Sequence, residues 1–163
     1  MNRIAILTVE DEPEVRQAIE RDLESFATLF RVETAADVAD AREVIATLAA
    51  QSDTLGLIIS DHRLPGTSGV DFLTELEADP AHPGLRKILL TGQADQADTI
   101  RAINAGGLNR YIAKPWSADE LRTIVTTQLT EFILERDIDP MPYLGVLADP
   151  RLLTRIGRGP HID

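Results

Sequence analysis

Five polar residues of this sequence stand within two positions of the end of a short apolar run. Glu10 and Asp11 follow the first run, Asp61 the third, Thr91 the fourth and Lys114 the fifth. In an open sheet of parallel strands, ligands bind outside the carboxyl ends of the strands, where the strand order reverses. We therefore expect three carboxylates, one hydroxyl and one ammonium group to meet in a single pocket at that end of the sheet.

The chemistry that suits this set of groups is phosphoryl transfer. Clustered carboxylates repel one another unless a hard cation neutralises them, and Mg²⁺ prefers a few carboxylate oxygens, water and phosphate. A carboxylate beside such an ion can attack a phosphoryl group and form an aspartyl phosphate. Lys114 would then balance the charge on the phosphoryl oxygens, and Thr91 would donate a hydrogen bond to one of them.

The apolar runs predict the strands of a parallel sheet. Four of them are short and almost uniformly apolar, which is typical of strands that are buried on both faces. The second segment is more polar and suits a strand at the edge. In chain order, the predicted strands are residues 4–9, 31–35, 55–59, 88–90 and 111–113.

Helices are predicted between and after these strands, because apolar residues recur there every three or four positions. Pro13 suits the start of the first helix, and Ile100 and Ile103 mark the fourth. The fifth opens with Ser117 and Glu120 in a capping-box pattern. The alternation (βα)₅ predicts a doubly wound α/β fold, in which helices cover both faces of an open five-stranded parallel sheet.

The composition of the chain changes after about residue 136. Beyond that point, prolines and glycines interrupt any long element, at Pro140, Pro142, Gly145, Pro150, Gly157, Gly159 and Pro160. We predict one domain over residues 1–136, followed at 137–163 by a C-terminal tail or the start of a linker.

Composition excludes several classes of protein. The 163 residues are 44% hydrophobic, which is enough for a core, and they carry a formal net charge of −11. So acidic a surface disfavours direct nucleic-acid binding by this segment. The absence of cysteine excludes disulfides and thiolate metal sites. No apolar run is long enough to span a bilayer or to form a signal peptide, so we expect a soluble, cytoplasmic protein with no membrane partner.

The motifs at the ends of the predicted strands resemble the receiver domain of two-component response regulators. The resemblance runs in order from about residue 4 to residue 132 and implies a flavodoxin-like fold with strand order 2-1-3-4-5. The motifs that carry it are Val9-Glu10-Asp11-Glu12, Ile58-Ile59-Ser60-Asp61 with Leu64-Pro65-Gly66 and Gly69, Leu90-Thr91-Gly92, and Tyr111-Ile112-Ala113-Lys114-Pro115-Trp116.

The resemblance implies roles for the acidic residues. Asp61 corresponds to the phosphoacceptor, and the metal, Mg²⁺ or Mn²⁺, would be held at Glu10, Asp11 and Asp61. Asp11 corresponds to the direct metal ligand, joined by the backbone carbonyl of Arg63. Glu10 stands where an Asp is usual and would reach the metal through water.

The resemblance also implies how the switch would work. Thr91 and Tyr111 correspond to the pair that moves on phosphorylation, and Lys114 to the lysine that binds the phosphoryl group. Arg63 and Gln93 stand two positions after the acceptor and the threonine, where side chains flank the path of the hydrolytic water. Arg63 is long and cationic, so we expect it to cover the phosphoryl group and prolong its lifetime.

The implied partners are a sensor histidine kinase or a phosphotransfer protein as donor, and a downstream protein or a fused output domain as receiver of the signal. A homodimer through the fourth helix, fifth strand and fifth helix is a further expectation. The chain is either a stand-alone receiver or one excised from a longer transcriptional or signalling-enzyme regulator. We expect no enzymatic activity beyond self-phosphorylation and autodephosphorylation.

A phosphatase and a dinucleotide-binding domain are the alternatives to this interpretation. Phosphatases of the haloacid dehalogenase type also form an aspartyl phosphate, but they need a second Asp two positions after the nucleophile, and Arg63 stands there. A dinucleotide-binding domain would need a glycine-rich turn after the first strand, where Glu10 and Asp11 stand instead.

Overall fold

The computed structural model describes residues 2–92 and 95–157 of the chain. Five strands form one parallel sheet, and each lies where the apolar runs predict it, with ends that differ by a few residues. Their bounds are β1 Ile4–Val9, β2 Arg31–Ala35, β3 Thr54–Asp61, β4 Arg86–Thr91 and β5 Arg110–Ala113.

Helices alternate with these strands and continue beyond the last of them. Five helices follow the five strands in turn, and two short ones lie in the C-terminal segment. Their bounds are α1 Pro13–Asp22, α2 Val38–Ala50, α3 Gly69–Ala78, α4 Gln96–Ala105, α5 Ala118–Glu135, α6 Leu144–Leu147 and α7 Pro150–Gly157, with 3₁₀ turns at Glu24–Phe26 and Met141–Tyr143.

The strand order is β2-β1-β3-β4-β5, as the resemblance implied. This order places β1 and β3 side by side, although the whole of α1, β2 and α2 lies between them in sequence. Val9 at the end of β1 pairs with Ser60 in β3, directly before Asp61. Thr91 at the end of β4 pairs with Ala113 at the end of β5. The register therefore aligns the carboxyl ends of four strands along one edge.

The core consists of two apolar layers, one on each face of the sheet. Side chains alternate along a strand, so β1 contributes Ile4 and Ile6 to one layer and Ala5 and Leu7 to the other. The first layer includes residues of α1 and α5, and the second includes residues of α2, α3 and α4. This double coverage explains why the strands are apolar at almost every position.

Helix α4 is attached less deeply than its neighbours. Its buried residues are Thr99 and Ala102, whereas Ile100 and Ile103 are 52% and 48% exposed. The apolar periodicity therefore marks the helix correctly but points to the wrong face. At its C-terminal end, α4 lies close to α3, since a Cβ on Gly106 would be 3.3 Å from Thr74 Oγ1. Small residues on the inner face permit this close packing.

The C-terminal segment folds back onto the layer formed with α1 and α5. The ring of Tyr143 stacks on Phe30, with 5.2 Å between the ring centroids. Leu147 and Leu152 are buried in the same layer. Arg151 joins the segment to α5 through an ion pair with Glu131. The described part of residues 137–163 is therefore packed against the domain.

Candidate functional site

The carboxyl ends of β1, β3 and β5 bring three charged groups into direct contact. The ammonium nitrogen of Lys114 lies 3.0 Å from Asp61 Oδ1 and 3.6 Å from Glu10 Oε2. Glu10 and Asp61 are buried, and Asp11 is exposed at the rim. Carboxylate oxygens of Glu10, Asp11 and Asp61 all lie within 4.8 Å of one another. The convergence expected from the sequence is therefore present for these four residues.

Glu10 is held in an unfavourable position for a negative charge. Its Oε1 accepts a hydrogen bond of 3.2 Å from the backbone N–H of Glu12, while its buried Oε2 has no hydrogen-bond partner. Burial, together with the nearby charge of Asp61, raises the pKa of Glu10 from 4.5 to about 7. The pocket thus holds a carboxyl group that lacks a neutralising partner within hydrogen-bonding distance.

Lys114 is the positive group of the pocket. The peptide bond between Lys114 and Pro115 is cis. Burial by itself lowers the pKa of Lys114, but the hydrogen bond to Asp61 and the charges of Asp61 and Glu10 outweigh it and raise that pKa. Lys114 therefore carries a full positive charge beside Asp61 at neutral pH.

The pocket fits a hard divalent cation. Its donor set contains only carboxylate oxygens, and one of them, Glu10 Oε2, is buried without a hydrogen bond. Mg²⁺ and Mn²⁺ favour oxygen ligands of this kind. Glu10, Asp11 and Asp61 are the residues that would hold the ion.

Thr91 is buried at the end of β4, and its hydroxyl points toward α4. Its Oγ1 lies 3.1 Å from the carbonyl oxygen of Gly92, to which it donates, and 3.2 Å from Thr99 Oγ1. Thr99 in turn donates to the backbone carbonyl of Asp95 at 2.9 Å. The hydroxyl predicted to meet a phosphoryl group is thus linked to the first turn of α4 in this structure.

Tyr111 lies on β5 but outside the pocket. It is 51% exposed at the surface of the strand. Gln93, the second residue expected to influence the lifetime of an aspartyl phosphate, lies outside the described residues. The structure therefore brings together the acids and the lysine, and it leaves Tyr111 apart from them.

Arg63 and His62, which follow Asp61, both bind the first turn of α4. Arg63 Nε and Nη2 donate to Asp95 Oδ1 at 3.1 and 2.9 Å, so the guanidinium forms a fork on that carboxylate. His62 Nε2 lies 3.0 Å from Asp98 Oδ2. Sequence reasoning missed Asp95, Asp98 and Thr99. The available signal was three polar residues grouped at the start of a helix that follows a site strand.

The backbone around Asp61 is fixed by a close approach of α3. Gly69, the first residue of α3, donates its N–H to the carbonyl of His62 at 2.9 Å. A Cβ on Gly69 would be only 2.0 Å from the carbonyl oxygen of Asp61. A glycine is therefore required for the loop between β3 and α3 to return this closely to the strand.

A five-stranded parallel sheet in this order, with an acidic pocket and a lysine at its carboxyl edge, defines the receiver class of signalling domains. The family model described as "Response regulator receiver domain" matches residues 6–126. The chain therefore belongs to the receiver domain family of response regulators, a family of phosphorylation-dependent signalling switches. The resemblance and the fold class predicted from the sequence are confirmed.

Relatives of known description share the same region. The chain is 33% identical over 116 residues to the hydrogenase transcriptional regulatory protein HoxA of Cupriavidus necator. This matched region is 71% of the present chain and 22% of HoxA. The chain is 32% identical over 126 residues to the response regulator Rre1 of Synechocystis sp., with coverages of 77% and 52%. The chain thus spans about half or less of the length of these curated relatives.

Solved structures of receiver domains have the same fold. The receiver domain of an HD domain-containing protein from Pseudomonas fluorescens matches with a TM-score of 0.72 and 28% identity, over 84% of this chain and 94% of that one. A CheY-like receiver domain protein from Methanospirillum hungatei matches with a TM-score of 0.68 and 26% identity, over 82% and 99%. Among the described residues, the longest helices are too short or too polar to traverse a lipid bilayer.

Proposed function

We propose that this chain accepts a phosphoryl group on Asp61 from a sensor histidine kinase or a phosphotransfer protein. The observation that carries the proposal is the 3.0 Å contact between Lys114 Nζ and Asp61 Oδ1 inside a cluster of three carboxylates. Asp61 is the member of the cluster that the lysine contacts most closely. A charged ammonium group beside the acceptor stabilises negative charge that develops on the transferred phosphoryl oxygens.

In this reaction, an oxygen of the Asp61 carboxylate forms a bond to phosphorus. The bond from phosphorus to the imidazole nitrogen of the donor breaks, and the electron pair leaves with the imidazole. With acetyl phosphate as a small donor, the bond that breaks joins phosphorus to oxygen, and acetate leaves. A bound Mg²⁺ or Mn²⁺ supplies charge neutralisation for the phosphoryl oxygens. Lys114 holds one of these oxygens, and Thr91 donates a hydrogen bond to another.

The output of the switch is a change in the surface formed by α4, β5 and α5. To reach the phosphoryl group, the hydroxyl of Thr91 must leave Thr99, which alters the first turn of α4. Tyr111 lies exposed on β5, and in the phosphorylated state its ring turns inward. We propose that this surface binds a second copy of the chain, a downstream protein or a fused output domain, with the receiver proper at residues 1–136 and an appendage at 137–163.

The test is covalent modification by acetyl phosphate in the presence of Mg²⁺, followed by intact-mass spectrometry. The wild-type chain should gain one phosphoryl group, and Asp61→Asn should gain none. Asp79→Asn, a substitution at an exposed acid in the loop after α3, serves as the matched control and should be modified as the wild type is. Undiminished modification of Asp61→Asn would remove Asp61 from the reaction.

A further inference from the structure

Asp95 stands at a position where its carboxylate has two competing uses. It is the residue before the first turn of α4 and is 5% exposed, and its side chain is taken by the guanidinium of Arg63. The hydrogen bonds from Arg63 hold the pKa of Asp95 below its ordinary range, so Asp95 is ionised at neutral pH. One residue of the loop after the phosphoacceptor is thereby tied to α4.

The second use of Asp95 is to cap its helix. Three other helices begin with a side chain that accepts a hydrogen bond from the amide three residues later, namely Asp37 at α2, Ser68 at α3 and Ser117 at α5. Asp95 precedes α4 in the same way, but its side chain makes no such bond and its backbone is in a turn (ψ 24°), with its N–H donated to the carbonyl of Gly92, whereas the three capping residues are extended. Capping by Asp95 therefore requires its backbone to turn to the extended region. The amide that it would cap is that of Asp98.

A phosphoryl group on Asp61 would compete with Asp95 for Arg63. Arg63 is the second residue after the acceptor, in the loop that leaves the same strand, and its guanidinium is held by Asp95 at 2.9 Å. Phosphorylation places a charge of about −1.5 to −2 and three acceptor oxygens there, and arginine binds such groups with a bidentate fork. The Arg63 side chain is 70% exposed, so little packing opposes its movement.

We propose that Asp95 exchanges partners when Asp61 is phosphorylated: Arg63 moves to the phosphoryl group, and the freed carboxylate caps α4 at the amide of Asp98. The proposal rests on the proposed function, because it requires the phosphoryl group on Asp61. In both arrangements Arg63 and Asp95 each have a hydrogen-bonding partner; without the phosphoryl group the pair with Arg63 is the one formed, and the phosphoryl group selects the other. Asp95 is thus a positioning residue that acts through Arg63.

The movement of the Thr91 hydroxyl to the phosphoryl group affects the same first turn of α4. Its hydroxyl contacts Thr99, whose own hydroxyl donates to the backbone carbonyl of Asp95. When Thr91 turns to the phosphoryl group, this link is lost together with the fork from Arg63. Both changes release the first turn of α4 from the end of the sheet, and the cap at Asp98 then stabilises it in its new position.

The experiment measures hydrogen exchange of the Asp98 amide by NMR, on the full chain, with and without beryllofluoride and Mg²⁺ as a phosphoryl mimic. In the wild type the mimic should slow this exchange about fivefold, the effect of one side-chain cap. Asp95→Ser keeps a capping side chain that cannot hold a guanidinium as an anion, so its Asp98 amide should be protected already without the mimic. Asp95→Ala can neither cap nor pair, and the mimic should leave its Asp98 amide unchanged.

A matched control removes another ion pair between an arginine and an aspartate. Asp71→Asn breaks the 2.9 Å contact between Asp71 and Arg101, which joins α3 to α4 at the surface. This variant should respond to the mimic as the wild type does. If Asp71→Asn instead changes the exchange of the Asp98 amide as much as Asp95→Ser does, the effect comes from a general loosening of α4. That result would overturn the exchange of partners.

A double-mutant cycle tests the exchange without reference to helix stability. Asp95→Ser releases Arg63 and should raise the affinity for beryllofluoride several-fold, whereas the same substitution in an Arg63→Ala background should have no effect. Equal effects in both backgrounds, or a wild-type Asp98 amide that ignores the mimic, would overturn the proposal. If the partner exchange fails but acetyl phosphate still modifies Asp61, the proposed function stands. If Asp61 takes no phosphoryl group, both the proposed function and the partner exchange are wrong.

Discussion

Glu10 carries a buried carboxyl group beside a second carboxylate, and this makes the metal-free fold sensitive to pH. Its pKa is raised to about 7 in the fold, against an ordinary value of 4.5. A raised folded-state pKa means that the contribution to stability is complete below about pH 4.5 and is lost as the pH rises through 7. In the presence of a chelator, the free energy of unfolding should fall between pH 5 and pH 8 by on the order of 2 kcal/mol through this group.

The comparison with Glu10→Gln isolates this contribution. Glutamine keeps the shape of the side chain and an acceptor for the N–H of Glu12, but it has no proton to lose. Urea unfolding at the two pH values should therefore show a smaller loss in the variant than in the wild type. The prediction fails if the two proteins have the same pH dependence.

Arg63 should control how long the phosphorylated state lasts. Once its guanidinium lies on the phosphoryl group, it stabilises that state and obstructs the attacking water. Arg63→Ala should therefore lose the phosphoryl group about tenfold faster, a barrier change of about 1.4 kcal/mol. The decay of phosphorylated protein after removal of the donor measures this, with Arg101→Ala as the control for an exposed arginine. Equal decay, or slower decay in Arg63→Ala, would exclude Arg63 from the mechanism.

For individual residues, the sequence predicts contacts between side chains at the ends of neighbouring strands. It misses contacts that depend on the direction of a side chain. Parallel pairing alone brings Asp61 beside Glu10 and Lys114, because the carboxyl ends share one edge. The partner of Arg63 depends on where the first turn of α4 lies relative to the loop after β3. That placement results from packing between elements, and no spacing in the chain encodes Asp95 as the recipient.

The junction of β3 and α3 depends on a glycine, and substituting it tests how rigidly the acceptor is held. A Cβ at Gly69 would overlap the carbonyl oxygen of Asp61, which is backbone and cannot turn aside. Gly69→Ala should lower the free energy of unfolding by at least about 2 kcal/mol and reduce modification of Asp61 by acetyl phosphate. Gly145→Ala, in α6, adds a Cβ that meets no atom within 4 Å and should leave both unchanged or raise stability slightly. Equal stability of the two variants would contradict this account.

Helix α4 illustrates where element prediction from periodicity fails. Ile100 and Ile103 recur at a helical spacing, which predicts a helix and a buried face. The helix is present, but its inner face carries Thr99 and Ala102, because α4 lies close to α3. Periodicity reports that one face is apolar, and it does not report whether that face meets the core or a different surface.

For the whole molecule, the C-terminal segment contributes to stability as well as to shape. Leu152 is buried in the layer shared with α1 and α5, whereas its neighbour Leu153 is 60% exposed. Leu152→Ala should lower the free energy of unfolding by about 2–4 kcal/mol, and Leu153→Ala should change it by less than about 0.5 kcal/mol. Denaturant midpoints of the two variants measure this. Similar midpoints would show that the segment detaches without cost to the domain.

The sequence indicates this packing only weakly. Prolines and glycines beyond residue 136 are typical of loops, and they do limit the helices there to short pieces. What holds the segment is the contact of a few apolar side chains, such as Tyr143 on Phe30. Such long-range contacts leave no periodic pattern in so short a stretch. Composition therefore predicts that long elements end near residue 136, but it does not predict that the segment packs against the domain.

The shallow attachment of α4 has a thermodynamic consequence. Its contacts with the rest of the domain are mostly polar, through Asp95, Asp98, Thr99 and Arg101, and its two isoleucines are already half exposed. Moving this helix therefore hydrates little new apolar surface, which is the main source of a heat-capacity change. The equilibrium between the two positions of α4 should give a nearly straight van 't Hoff plot, whereas that for unfolding of the whole domain should curve strongly.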